Sequence, residues 1–438
     1  MHEINLVDGL FIVFLAGTVP FLVKSILVSP RFTPSVRQWA IAGGILWMGY
    51  VVCSDWIADS VLGAPWMDAY YHDAVARNLL ESIHRGDWSA FWDHFRIGNN
   101  AYHCYLSLLF YTGASIYTPT AINGWLAFWA GLILAYHFCA TWPWPGNRHF
   151  LLFWTIFCPS VVFWCTVNLK ESIMYWSVTN LFVASFVPAG HKYSPGRIVL
   201  TVVAIAAGIL LRPHVLAGWV LAVAVIMILH RGRRLLAVVV MSSLPLVFAG
   251  VQDLAPVDLS LEATNVAETH FTNLQQIKAQ GTRIEYKEEH PIFFVSGFVS
   301  AFFRPFPWTV GSGRMLASCC EIWTMTLLIF FAWYNLSMEE RKFVLKLPMI
   351  QVAILGSLWM CALLTYYPNE GLMIRQRVQM VPGLLALAVL PSSIRYFNLA
   401  KKDWVKRSRL KGFHRESRSH AGGFLLGEES GRKRMWQD

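Results

Sequence analysis

Along most of the chain, apolar residues come in unbroken runs rather than at the spacing of a one-sided helix. Runs near the length that crosses a bilayer recur at roughly 5–28, 38–60, 121–141, 150–167, 172–189, 197–212, 214–230, 235–251, 316–335, 345–366 and 375–392. This pattern predicts an all-α, polytopic integral membrane protein with about eleven transmembrane helices. The runs at 150–167 and 197–212 are short, which is tolerated inside a bundle. No fixed-period repeat is evident. A different pattern follows the second run. From His72 onward, Ala76, Leu79, Leu80 and Ile83 recur at helical spacing, with Arg77, Glu81, His84 and Arg85 between them. That is an amphipathic helix suited to lie flat on the membrane surface. The segment 101–117, "AYHCYLSLLFYTGASIY", is slightly short for a span and reads as a half-buried or surface helix.

Basic residues orient the bundle. The tail after Leu399, "KKDWVKRSRLKGFHRESR", belongs in the cytoplasm. The short loops 29–37, 143–149, 191–197, 230–234 and 338–346 each carry Lys or Arg and fall on the same side. The N-terminus, the long loops 61–120 and 252–315, and the turns 168–172, 211–214 and 366–377 are then outside. A crossing by 101–117 would instead flip the segments before it. Glu3 and Asp8 precede the first run and Lys24 lies near its far end, the reverse of a signal peptide, so this run reads as a retained anchor.

Composition agrees with a membrane protein: 55% hydrophobic residues against 14% charged. The net charge of +10, much of it in the tail, fits positive-inside topology and anionic lipid headgroups. Nothing resembles a nucleic-acid recognition motif, so no nucleic-acid partner is expected. The eight Cys include no CxxC pair, which leaves buried, inert thiols as the expectation.

Candidate chemistry gathers on the outer side. Asp68 stands just before the amphipathic helix, where it can cap the helix, act as a reactive carboxylate, or do both. Asp73 then falls in the first turn, favoured by the helix dipole. Lys170 and Glu171 sit at a hairpin tip, either as a solvated turn or as part of a site. Arg212 and His214 occupy another turn between apolar runs, where an arginine must pair or snorkel. Arg375 and Arg377 begin the last run and oppose the positive-inside trend, which points to phosphate binding. A carboxylate can act as general base on a hydroxyl, while Arg and Lys stabilise charge on a leaving phosphate.

These features stand in an order that resembles the GT-C superfamily of polyprenyl-phosphate-sugar-dependent glycosyltransferases, which includes protein O-mannosyltransferases and the aminoarabinose transferases of lipid A. The resemblance covers roughly 38–392. It rests on "DAYYHDAVARNLL", "AINGWLAFWAGLILAYHF", "CPSVVFWCTVNLKES", "LLRPH" and "GLMIRQRVQMVP", each weak alone. The loop "FFRPFPWTVGSG" is similar to membrane proteins of bacterial polysaccharide clusters, and its Arg304 reads either as a substrate contact or as a structural anchor. The resemblance implies a catalytic Asp at Asp68, a sugar- or metal-proximal acid at Glu171, and a lipid-phosphate arginine at Arg375 or Arg377. The family's second early carboxylate is not clearly placed; Asp73, Glu81 and Asp87 compete for it.

The expected organisation is an extra N-terminal segment and turn (1–37), a GT-C-like core (38–392) and a basic cytoplasmic tail (393–438). The expected activity, in the inner (plasma) membrane, is sugar transfer from a polyprenyl-phosphate donor to a hydroxyl of a glycan, lipid or protein acceptor. Asp68, Glu171 and Asp73 are the catalytic candidates; Arg375, Arg377, Arg212 and Lys170 are the lipid-phosphate candidates. A divalent metal held by Asp68 and Glu171 stays open, since two carboxylates do not specify one. The alternatives are a polysaccharide polymerase or ligase, and a lipid-linked oligosaccharide flippase or other transporter. A transporter is expected to carry charges or broken helices at mid-membrane rather than at one face.

Overall fold

The computed structural model describes residues 4–27, 32–60, 67–141, 148–185, 195–229, 293–365 and 370–395. Among these, every regular element is helical and none is a strand. Four helices are long and apolar enough to cross a membrane: Leu6–Ile26, Tyr117–Cys139, Met315–Tyr334 and Met373–Arg395. A fifth is added if Met338–Leu345 and Pro348–Leu364, bent by 75° at a short break, make one crossing. Leu151–Trp164, Pro195–Leu211 and Pro213–Leu229 are apolar but shorter. The all-helical architecture with membrane-type helices expected from the sequence is present, and among the described residues four or five of them, rather than clearly eleven, meet the length and hydropathy of a crossing. The expected run 235–251, most of the second long loop and the basic tail lie outside the described residues.

The run expected at 150–167 divides for an identifiable reason. Helix α7 (Arg148–Ile156) stops, and α8 (Pro159–Trp164) restarts at Pro159. Proline lacks the N–H needed to continue a helix and pushes the preceding residue out of the helical region. Cys158 accordingly sits at ψ 126. Beyond Trp164 the chain stays irregular up to Lys170.

The first helix, α1 (Leu6–Ile26), starts with a capping box. Asn5 Oδ1 accepts from the Asp8 N–H at 2.9 Å, and Asp8 Oδ2 accepts from the Asn5 N–H at 3.3 Å. Asp8 is therefore part of the helix rather than a charge ahead of it. Helix α6 (Tyr117–Thr141) packs against α1, α2 (Pro34–Ser60), α7 and α9 (Glu171–Ala184). Glycines permit the closest approaches. A Cβ at Gly131 would meet the Thr155 carbonyl at 2.5 Å, so α6 and α7 touch backbone to backbone. At Gly124 the carbonyl accepts from Trp47 Nε1 of α2 at 2.8 Å.

Helix α9 lies at the centre of the bundle, and all but one of its residues are buried, including Ser172, Ser177, Thr179 and Asn180. Its first residue is Glu171. That location turns a charge at a helix start into a charge in the interior.

The amphipathic helix is α3 (Met67–His84). Its apolar stripe does not simply meet lipid: Ala76, Leu79 and Ile83 are buried, and α3 packs on α5 (Asn99–Tyr111), with α4 (Trp88–His94) beside both. Leu79, Ile83, Phe91 and Cys104 form a small core of their own. Arg77 lies over the Phe110 ring at 4.8 Å. With 13 residues, α5 is too short to cross a bilayer. Gly98, at φ 104, turns the chain into α5, and its N–H donates to the Leu210 carbonyl at 2.8 Å. This bond ties the α3–α5 layer to α10 (Pro195–Leu211), two residues before Arg212.

Candidate functional site

Where α3, α5, α9, α10 and the start of the final helix converge, they enclose a cavity of about 1060 Å³. Asp68, Tyr71 and His72 of α3 form one wall, and Arg96 to Asn100 another. Lys170, Arg212, His214, Arg375 and Gln376 complete it. Among the described residues, Asp68 is the one acidic residue lining it, against Arg96, Lys170, Arg212 and Arg375. Cations therefore outnumber carboxylates on the described lining.

The charges form a connected network. Arg375 bridges two carboxylates, its Nη1 donating to Asp68 Oδ2 and its Nε to Glu171 Oε1. Arg212 Nη2 donates to the same Glu171 oxygen at 2.5 Å, and its Nη1 donates to Gln376 Oε1. Glu171 is fully buried behind the two guanidiniums, while the Asp68 side chain is 65% exposed. Glu171 Oε2 has no hydrogen-bond partner among the described residues. Lys170 Nζ donates to Asn99 Oδ1. Burial, and then the nearby Arg212, hold the Lys170 ammonium well below the usual lysine range.

The irregular stretch before Lys170 is held by side chains from other helices. Asn123 Nδ2 donates to the carbonyls of Val167 and Leu169, both at 3.0 Å. Tyr102 Oη donates to Asn168 Oδ1 at 2.8 Å, and Ser54 Oγ to the Thr166 carbonyl at 3.0 Å. These bonds replace the helical ladder that ends at Trp164, and they aim Lys170 at the cavity. The N-terminus of α5 opens at the same wall with no side-chain cap on it, which leaves backbone N–H groups on that wall.

The structure thus brings together Asp68, Lys170, Glu171, Arg212 and Arg375, residues far apart in sequence. It separates Asp73 and Arg377 from them. Asp73 is in the second turn of α3 and pairs with Arg77 at 2.9 Å. Arg377 is buried and its Nη2 donates to the Ala301 carbonyl at 2.9 Å, which pins the helix Phe293–Phe303 to the final helix. Two residues further on cannot mean the same face where a helix turns about 100° per residue. Asp68 is not the helix cap either: α3 already begins at Met67, so Asp68 is a first-turn residue with its carboxylate on Arg375. The 168–172 turn is not solvated, since Lys170 and Glu171 are both buried. Arg304 lies 5.5 Å from the Phe306 ring, the anchoring arrangement rather than a place on the cavity wall.

A divalent ion between Asp68 and Glu171 does not fit this donor set, because the Arg375 guanidinium already bridges the two carboxylates. No group of three or more metal-ligating side chains occurs among the described residues.

Asn99, Arg96, Gln376 and His72 were not foreseen in the sequence. His72 was within reach, since it follows Asp68 by four residues and so shares its face. His72 also heads a chain of rings: its Nδ1 lies 2.8 Å from His103 Nε2, and His103 Nδ1 lies 3.2 Å from His94 Nε2.

Searches of protein-family models, curated proteins and solved structures return no match for this chain.

Proposed function

We propose that this protein is a membrane glycosyltransferase that uses a polyprenyl-phosphate-linked sugar, working at the outer face of the inner (plasma) membrane. The observation that carries the reading is Arg375 bridging an exposed and a buried carboxylate on the wall of a cation-rich cavity. Arg212, Arg375 and Lys170 suit the donor's phosphate, and Glu171 holds both guanidiniums in place from behind. The remaining cavity volume suits a sugar and part of an acceptor.

The carboxylate bridge suggests an order of events. An entering phosphate competes with Asp68 for Arg375. Once Arg375 turns to the phosphate, Asp68 loses its counter-charge and becomes the stronger base. The acceptor hydroxyl then attacks the anomeric carbon with inversion. Its proton passes to Asp68, and the sugar–phosphate C–O bond breaks to leave polyprenyl phosphate. The concentration of charge at one cavity rather than along a mid-membrane path favours this reading over a flippase.

The test is sugar transfer from a labelled lipid donor by the full chain in nanodiscs. Asp68→Asn is expected to retain donor binding and lose about 10²–10⁴-fold in turnover. Wild-type turnover in that variant overturns Asp68 as the base, and movement of the intact lipid-linked sugar without transfer overturns the enzyme in favour of a flippase.

A further inference from the structure

We propose that His72, His103 and His94 form a proton relay that carries the acceptor's proton from the cavity to the aqueous surface while substrate fills the cavity. This rests on the transfer chemistry above and assigns it an exit route.

The geometry runs from inside to outside. His72 is on the cavity wall and buried, His103 is buried behind it, and His94 is half-buried at the edge of α4. Both ring nitrogens of His103 are engaged, Nε2 with His72 and Nδ1 with His94. A neutral imidazole has one donor and one acceptor nitrogen, so the three rings run head to tail. The Tyr102 ring packs edge-on to His72 at 5.3 Å and Tyr71 edge-on to His103 at 5.9 Å, which holds the register. The arrangement is unsuited to a metal, because His72 and His94 meet opposite sides of His103 and do not converge on one point.

The rings are kept neutral, as a relay requires. These helices lie outside the membrane-spanning segments. Burial, then Lys170, His103 and Arg375, lower His72 to about 3, against the opposing pull of Glu171. Burial, then His94 and Lys170, lower His103 to about 4. Burial, then Arg96, lowers His94. A resting cation on any ring would block transfer through it.

Asp68 and His72 are one helical turn apart on the same face. In the outward setting each imidazole carries its hydrogen on Nδ1. The proton leaving Asp68 joins His72 Nε2, and the His72 Nδ1 proton moves to His103 Nε2. The His103 Nδ1 proton moves to His94 Nε2, and the His94 Nδ1 proton leaves to solvent. One proton enters, one leaves, and all three rings end with hydrogen on Nε2. When product departs and water refills the cavity, one proton moves inward from bulk by the reverse steps and restores the starting tautomers. The relay matters because a lipid-linked sugar in the cavity displaces the water that otherwise removes the proton.

The experiment combines ¹⁵N-histidine spectra of the full chain in nanodiscs with turnover of two variants, His103→Asn and His94→Gln. An amide can bridge hydrogen bonds but does not pass a proton on. The relay predicts three neutral rings at pH 7 with a common tautomer. It also predicts turnover reduced on the order of 10²-fold in both variants, with unchanged donor binding. Added imidazole is expected to restore part of the His94→Gln rate. His94 is half-buried at the surface, so that variant stands even if His103→Asn misfolds. A cationic ring or mixed tautomers at pH 7 overturns the relay, as does wild-type turnover in His94→Gln. A wild-type protein that transfers no sugar from any lipid donor overturns the function proposed above and the relay with it, whereas a transferring parent with wild-type turnover in His94→Gln overturns the relay alone.

Discussion

Two carboxylates, Asp8 and Glu171, are both fully buried and both in the first turn of a helix, yet their surroundings differ in kind. Asp8 accepts from the Ser115 N–H at 2.9 Å, Ser115 Oγ at 2.6 Å and Thr118 Oγ1 at 2.7 Å, besides its bond from Asn5. Its donors are all neutral, both oxygens are engaged, and it is not among the residues lining the cavity described above. It joins α1 to the start of α6. Glu171 instead holds two guanidiniums with one oxygen and has no partner among the described residues for the other. Full satisfaction by neutral donors marks a structural knot. A partly satisfied carboxylate that restrains cations beside a cavity marks machinery.

The comparison can be broken at either end. The largest effect is expected from Glu171→Gln. Removing one partner of a buried charge network leaves the others uncompensated and typically costs about 3–5 kcal/mol. Both unfolding stability and donor binding should fall; a variant that keeps both would place Glu171 with Asp8. Next comes Asp8→Asn, where an amide N–H must face donors that now have no acceptor, at a cost of about 1–3 kcal/mol. Thermal unfolding in detergent should register that loss, while sugar transfer per folded molecule stays at the parent level. A selective loss of transfer would end the distinction between knot and machinery. Asp73→Asn serves as the smallest perturbation. Its i,i+4 pair with Arg77, whose side chain is 39% exposed, is worth about 0.3–0.5 kcal/mol. Neither stability nor turnover should change measurably, and a dead Asp73→Asn would move the base from Asp68 to Asp73.

Part of this contrast was legible in the sequence. Apolar runs gave the helical membrane class, and charged residues at the ends of successive runs gave Asp68, Lys170, Glu171, Arg212 and Arg375 as a group. Their convergence was inferred from topology, which places run ends on one side. What distinguished Arg375 from Arg377 was not legible, because the helical path between them decides which one faces the cavity. The break at Cys158 could have been read from Pro159, but run length masked it. The Asp8 knot had a readable half, the Asn5–Asp8 capping box, and an unreadable half, the hydroxyls of Ser115 and Thr118 more than a hundred residues away. The histidine chain was hidden for the same reason: α3, α4 and α5 supply one ring each, and only their packing aligns the nitrogens.

Gly98 carries a consequence for descent. Its φ of 104 belongs to a region that side-chain-bearing residues rarely adopt, and its N–H fastens the turn to Leu210. On one side of it stands His94, on the other Asn99, and across the bond Arg212. Neighbouring wall residues can be exchanged as a lineage changes what the cavity holds, but this position has little latitude. In homologues that keep the same cavity, a glycine at 98 should outlast the arginines around it.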